Sequence, residues 1–464
     1  MTMPAVPARE QLSAAGVAAA GLAAVALALT ALAVPTAGYW QPLLTVLVPG
    51  GAAWIIRRRS LLVCLSLAQV AVFYGVTGLV TGSGRSPELV ALVTLWSAGL
   101  LLGGLLTRPR PGAVPPTRLP PPTWVHLALA GGLVLLQAAL VLSARIGFQA
   151  QVASGTTTPT GPTGTLATAA PQLVLLVGIC AVSSGVRTLP AAVLAAVEAV
   201  VLSATGFRGA GVSFVLSAAV LGALLLPRDS PWRRPGRLAL AVPVALFFVV
   251  VTFVLAAQVR STSASDLGAS SSGTALFGLD QAVAVIGDRL DSSPPLAQAI
   301  YYQHDATVRH AVDWTTQLQS VVPRAVWPGK PVVDYGQDVA AAVYGVVDGQ
   351  SASYITVIGD TLVNFGRPGV LIGAVGLALA LGLLERRLRP GLGLLTPVLA
   401  VVLATTVLDA NSTLVFIVVG AIRSFLVTAA LWYLASLVHR PARTAGPSTA
   451  GSSVMPAAAP AELW

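Results

Sequence analysis

Residues 88–106 read ELVALVTLWSAGLLLGGLL, and residues 107–110, TRPR, close them. After Glu88 the run carries no charge as far as Leu106. At about 1.5 Å of rise per helical residue, such a run nearly covers the roughly 30 Å of hydrocarbon in a bilayer. The arginines that follow stay in water. The same unit, an apolar run ended by arginine or by a Pro/Gly break, recurs along the chain. It is found at about 13–34, 40–56, 61–81, 88–106, 125–143, 171–186, 189–206, 211–226, 238–258, 368–384, 391–409 and 412–437. The runs lack the period-two alternation of barrel strands, and lipid offers no partner for an open sheet edge. The expected fold class is therefore an all-α polytopic membrane protein with about twelve transmembrane helices. Composition agrees, because 55% of the 464 residues are hydrophobic and only 9% charged, against about 25% charged in soluble domains.

The first run, 13–34, exceeds the apolar region of a signal peptide and reads as the first span rather than a cleaved leader. Cys64 and Cys180 fall inside apolar runs and read as small membrane-buried side chains.

Orientation follows from the arginines. Arg9, Arg57, Arg58, Arg59, Arg108, Arg110, Arg118, Arg187, Arg228, Arg233, Arg234, Arg237, Arg386, Arg387, Arg389, Arg440 and Arg443 all fall on one side if twelve helices alternate. Most of the 27 basic residues are among them, so the net charge of +10 is a topology signal and not a nucleic-acid footprint. That side is the cytoplasm, which puts the N- and C-termini inside and the chain in the cytoplasmic (inner) membrane. Helices one to nine fill residues 1–258, helices ten to twelve fill 368–440, and 441–464 reads as a disordered cytoplasmic tail.

Three segments lack membrane character. Residues 107–124 form a Pro-rich linker. Residues 144–170 form a Gly/Thr/Pro-rich outer loop. Residues 259–367 form a large, partly helical extracytoplasmic loop whose ten acidic and six basic residues give it a net charge of about −4. Residues 259–275 read as disordered. Helices are expected over 280–302 and 304–321, within an ordered cap on the membrane.

No HExxH, CxxC, P-loop or GxSxG is present, and the four histidines are too scattered to suggest zinc. The informative residues are outward charges. Arg208, in SATGFRGAG (203–211), is flanked by glycines that let backbone and guanidinium approach a phosphate; the other reading is a snorkelling arginine in a tight turn. Asp288-Arg289-Leu290-Asp291 is either a binding element or a solvated helix end. In QSVVPRAVWPGKP (319–331), prolines stiffen a loop carrying Arg324, Trp327 and Lys330, which suits phosphate and a stacked sugar. Asp360, in IGDTLVNFGRPG (358–369), is either a base or the partner of an arginine. Arg423, Glu198, Asp409 and Asn411 are weaker candidates, each also readable as part of an intramembrane ion pair.

Taken together, TGFRGAGVSFVLSAAVLG (205–222), VPRAVWPGKP (322–331) and GDTLVNFGRPGVLIG (359–373) resemble three segments of bacterial O-antigen, or oligosaccharide repeat-unit, polymerases, in the right order. The resemblance implies a GT-C-like membrane glycosyltransferase that joins undecaprenyl-diphosphate-linked glycan units at the outer leaflet. No cofactor or metal is implied. It also implies that Arg208, Arg324 and Lys330, with Arg289 as a weaker fourth, hold the lipid diphosphate. Asp360, His304 and His310 are expected to activate the acceptor hydroxyl, and Trp327 and Tyr335 to contact glycan. The lipid bilayer, a flippase and a chain-length regulator are the expected partners, with no nucleic acid. Two alternatives stay open: a ligase moving finished glycan to another acceptor, and a transporter or flippase of the lipid-linked unit.

Overall fold

The computed structural model describes residues 40–57, 59–81, 85–107, 119–147, 162–206, 208–226, 251, 291–319, 322, 327, 335–344, 355–388, 395–407 and 413–438. Among these, all regular structure is helical. The elements are α1 (Trp40–Ile56), α2 (Leu61–Leu79, with a π-helical stretch at Ala71–Val76), α3 (Pro87–Leu106), α4 (Trp124–Leu142), α5 (Pro162–Thr168), α6 (Ala170–Ser184), α7 (Thr188–Ala204) and α8 (Arg208–Leu225). They continue with α9 (Ser293–Tyr301), α10 (Ala306–Ala311), α11 (Trp314–Leu318), α12 (Tyr335–Tyr344), α13 (Val357–Leu388), α14 (Leu395–Val407) and α15 (Leu414–Val438).

Six helical stretches are long and apolar enough to cross a membrane: α2, α3, α4, Leu166–Ser184, α13 and α15. Shorter apolar helices form at α1, α7, α8 and α14. Ten of the expected runs thus coincide with apolar helices. The runs at 13–34 and 238–258 lie outside the described residues, apart from the helical Val251.

The central seam joins α3 and α13, which run parallel, since Gly99 meets Ala374, Gly103 meets Ala378 and Thr107 meets Gly382. Gly99 and Gly103 make it possible. A Cβ on Gly99 would meet the Leu371 carbonyl at 2.8 Å, and one on Gly103 would meet the Val375 carbonyl at 2.6 Å. Small residues at this spacing let two backbones approach where lipid provides no hydrophobic drive between helices. Trp96 and Leu100 on α3, and Ala374 and Ala378 on α13, are buried in the resulting core.

Contacts sort the helix ends into two sets. At one end Glu385 accepts from Ser60 Oγ (2.6 Å) and the backbone N–H groups of Leu61 and Leu62 (3.1 and 3.2 Å). There the Glu385 carboxylate faces the N-terminus of α2, where the helix dipole favours it. Arg59 donates to the Leu105 carbonyl, Arg187 to that of Pro122, and His126 bonds to Ser436. At the other end lie Arg85, Glu88, Asp291, Asp360, Arg367 and Leu414. Because α4 meets the end of α15 through His126, its own C-terminus reaches the Asp360 end. There Gly147, just after α4, packs on the Thr205 carbonyl, and α8 begins at Arg208.

Helix α13 starts at Val357, ahead of the 368–384 expected from Pro368. Gly366 takes φ 68° and ψ −168°, which kinks the chain, and Pro368 falls in the first turn after the kink, where its missing N–H costs nothing. Residues 357–363, read from sequence as outer loop, are a buried helical segment. The expected helix at 304–321 is divided, with Asp313 capping α11 and Asp305 capping α10. Of the one expected at 280–302, residues 293–301 form α9 and residues 280–290 lie outside the described ones.

Candidate functional site

Two polar clusters bind the loop helices to the Asp360 end. The first grows from the π-helical stretch of α2, where the wider turn frees carbonyls from the helical ladder. The Tyr74 carbonyl accepts from Thr45 Oγ1 and Arg85 Nε, both at 3.1 Å, and the Phe73 carbonyl accepts from the Ser292 N–H at 3.0 Å. Arg85 Nη2 donates to both oxygens of Asp291, at 2.9 and 3.0 Å. Thr77 Oγ1 (3.4 Å) and the Ser293 N–H (2.9 Å) complete the carboxylate's shell. The two side chains are only 3% and 8% exposed, so the pair is stable only because these further bonds satisfy it. It fixes the entry to α9 against α2 and α3. Arg85 was not singled out from the sequence. The signal was available: in the topology expected from the sequence, Gly-Ser-Gly-Arg (82–85) falls on the outer side and breaks the positive-inside pattern as Arg208 does.

Asp360 centres the second cluster and is fully buried. Its Oδ1 accepts from Trp314 Nε1 (3.1 Å) and Asn364 Nδ2 (3.1 Å), and its Oδ2 from Trp314 Nε1 (3.0 Å) and the Leu414 N–H (3.0 Å). No arginine pairs with it among the described residues; the donors are an indole, an amide and the first turn of α15. Asn364 also donates to the Val312 carbonyl at 3.0 Å, and Thr413 Oγ1 donates to Gln317 Oε1 at 2.7 Å. The carboxylate therefore joins α11, α13 and α15. A proton-abstracting role would require one of these donors to leave. Trp314, Asn364 and Leu414 were missed because nothing local in the sequence marks them as partners of Asp360.

The loop helices are capped by aspartates. Asp305 accepts from the Thr307 and Val308 N–H groups, and these bonds hold its carboxyl below the usual range. Asp313 accepts from Thr315 Oγ1, Thr316 N–H and Thr316 Oγ1, and the Thr315 bond leads in holding it low.

The remaining candidates are distributed as follows. His304, in the turn between α9 and α10, and His310, on α10, are exposed, and Trp327 is exposed. Arg208 opens α8 and Tyr335 opens α12, with only their backbones described. Arg289, Arg324, Lys330, Asp409 and Asn411 lie outside the described residues. Arg423 is exposed on the surface of α15. Arg145, exposed beside the Gly147–Thr205 contact, is a further cation at the Asp360 end, near the start of α8. Among the described residues no group of three His, Cys, Asp or Glu side chains gathers closely enough to hold a metal ion.

Comparison of the chain with family models, curated proteins and solved structures finds no match.

Proposed function

We propose that the protein polymerises undecaprenyl-diphosphate-linked oligosaccharide units at the outer leaflet of the cytoplasmic membrane, as a twelve-span enzyme with both termini inside. One observation carries the reading. The segment holding Arg208 opens a helix at the same end of the bundle that the loop helices α9–α11 cover. Arg57, Arg59, Arg187, Arg386 and Arg387 sit at the opposite end, which by the positive-inside rule faces the cytoplasm. In this reading the donor's lipid tail lies against the spans and its diphosphate is held by Arg208, Arg324, Lys330 and Arg289. These cations stabilise charge on the departing diphosphate. A hydroxyl at the non-reducing end of a second lipid-linked unit attacks the anomeric carbon, the C–O bond to the diphosphate breaks, and the hydroxyl proton leaves to a base. The donor's own phosphate ester supplies the energy, so no nucleotide is consumed. His304 and His310 are exposed and accessible to an acceptor. Asp360, closed among its donors, serves this reading by holding the cap to the spans.

The test uses the purified full chain in bilayer nanodiscs with an undecaprenyl-diphosphate-linked repeat unit as the sole substrate. A ladder of longer lipid-linked glycans is expected. Transfer only onto an added non-prenyl acceptor would make the protein a ligase. Movement of the unit across liposome membranes without elongation would make it a transporter.

A further inference from the structure

Glu198 lies in α7 at 0% exposure, where α7 packs against α4, α6 and α8. The helices packed there bury many apolar side chains, among them Val134 on α4, Leu176 on α6, and Val201 and Leu202 on α7. The polar group that meets it is Gln137 of α4, itself 5% exposed. With the amide nitrogen turned toward the carboxyl, the two oxygens of Glu198 lie 2.9 and 3.2 Å from it. The sequence left an intramembrane ion pair open for Glu198; the partner found is a neutral amide.

We propose that Glu198, clamped by Gln137, is a proton-binding site inside the membrane-spanning bundle that carries its proton at neutral pH. Among the described residues no cationic side chain pairs with Glu198, and an ionised carboxylate held only by an amide, out of reach of water, is strongly disfavoured in lipid. A carboxylate tolerates only one orientation of the Gln137 amide, because it can only accept. A protonated carboxyl tolerates both, donating its O–H to the amide oxygen or accepting from the amide nitrogen. The titratable groups on the packed elements are few. Helix α4 carries only His126, at the opposite end and bonded to Thr123 and Ser436. Helix α6 carries only Cys180, and α8 only Arg208, in its first position. Titration breaks a single O–H bond and hands the proton to water, so it requires α4 and α7 to part far enough to admit water. A buried acid of this kind couples proton binding to the packing of these helices.

Infrared spectroscopy of the full protein in bilayer nanodiscs reads this directly. The wild-type minus Glu198→Gln difference at neutral pH should show the C=O stretch of a protonated carboxyl. Carboxylate bands in its place overturn the proposal. The stretch should shift in Gln137→Leu, and an unmoved band there also overturns the site. In Arg208→Ala the band should persist unchanged. A band seen only in Arg208→Ala would mean that the arginine had ionised Glu198, which removes the proton site.

Discussion

Two ion pairs at the same end of the bundle have different weights because water reaches only one. Arg367 meets Glu88 at 3.1 Å, but the side chains are 67% and 34% exposed. A screened pair of that kind contributes about 0–1 kcal/mol, so Arg367→Gln should leave the unfolding midpoint in detergent almost unmoved. Arg85 and Asp291 are closed off from water, and removing one partner strands the other charge. Arg85→Ala should destabilise by about 3–5 kcal/mol, whereas Arg85→Met combined with Asp291→Leu should recover most of that loss. Thermal unfolding of the four proteins decides this. If the double variant is as unstable as the single one, the pair's hydrogen bonds to the π-helical stretch, and not its charges, hold the loop. The sequence hid this pair because its partners are separated by 206 positions. A local reading of Asp288-Arg289-Leu290-Asp291 finds only neighbouring charges. Asp360 was legible as a candidate base or arginine partner in the outer loop, but not as a buried group inside a helix, because its donors are an indole, an amide and a backbone N–H, groups that charge patterns do not reveal.

Among the described residues, helix existence was readable where an apolar run reached membrane length, as at 61–81, 88–106 and 125–143. Helix boundaries were less so, because Pro368 looks like a start until Gly366 is seen to kink a helix already under way. Packing separates glycines that composition treats alike. A methyl on Gly103 would strike the backbone of α13, whereas one on Gly131 meets nothing within 4 Å. Gly103→Ala should therefore cost about 1–3 kcal/mol through overpacking, while Gly131→Ala should be neutral or stabilising by up to about 1 kcal/mol. Equal effects in the same unfolding assay would show that the α3–α13 seam is looser than the close approach requires. The capping aspartates add a pH dependence to α10 and α11. Both carboxyls are held below their ordinary range by accepted hydrogen bonds, so their folded form binds fewer protons than the unfolded one. Their stabilisation is present above the unfolded value of about 3.9 and is lost as pH falls below it. Hydrogen exchange at 306–318, corrected for intrinsic rate, should quicken only below about pH 4. Asp313→Asn should remove the part of that acid transition belonging to α11, and an unchanged transition would assign it to other groups.

Among the described residues, the loop helices α9–α11 join the helix bundle at one end, and that union was only half legible. Arg57, Arg59, Arg187, Arg386 and Arg387 do gather at one end, but the return of residues 291–318 onto α2, α3, α13 and α15 depends on Asp291, Trp314 and Asn364, which no periodicity links. The union matters for the proposed chemistry because Arg208 and Arg324 are separated by more than a hundred residues. They can hold one ligand only if the loop lies over the mouth of the spans where α8 begins. The Arg85–Asp291 and Trp314–Asp360 contacts show that the flanking loop helices do return to that end. A lipid diphosphate offers several oxygens to several cations, and a charge-assisted contact in a partly water-excluded site contributes about 1.5–3 kcal/mol. Each of Arg208→Ala and Arg324→Ala should then lower polymerisation of the purified lipid-linked unit by about one to two orders of magnitude. Contacts on one leaving group act together, so their losses do not simply add. Once the diphosphate is misplaced by the first substitution, the second has less left to remove, and the double variant should be little slower than either single one. Fully multiplicative losses would place the two arginines at independent sites. Full activity in Arg324→Ala would reduce the Pro-rich segment to scaffolding, while full activity in Arg208→Ala would remove the diphosphate role from the start of α8 and with it the observation on which the proposed function rests.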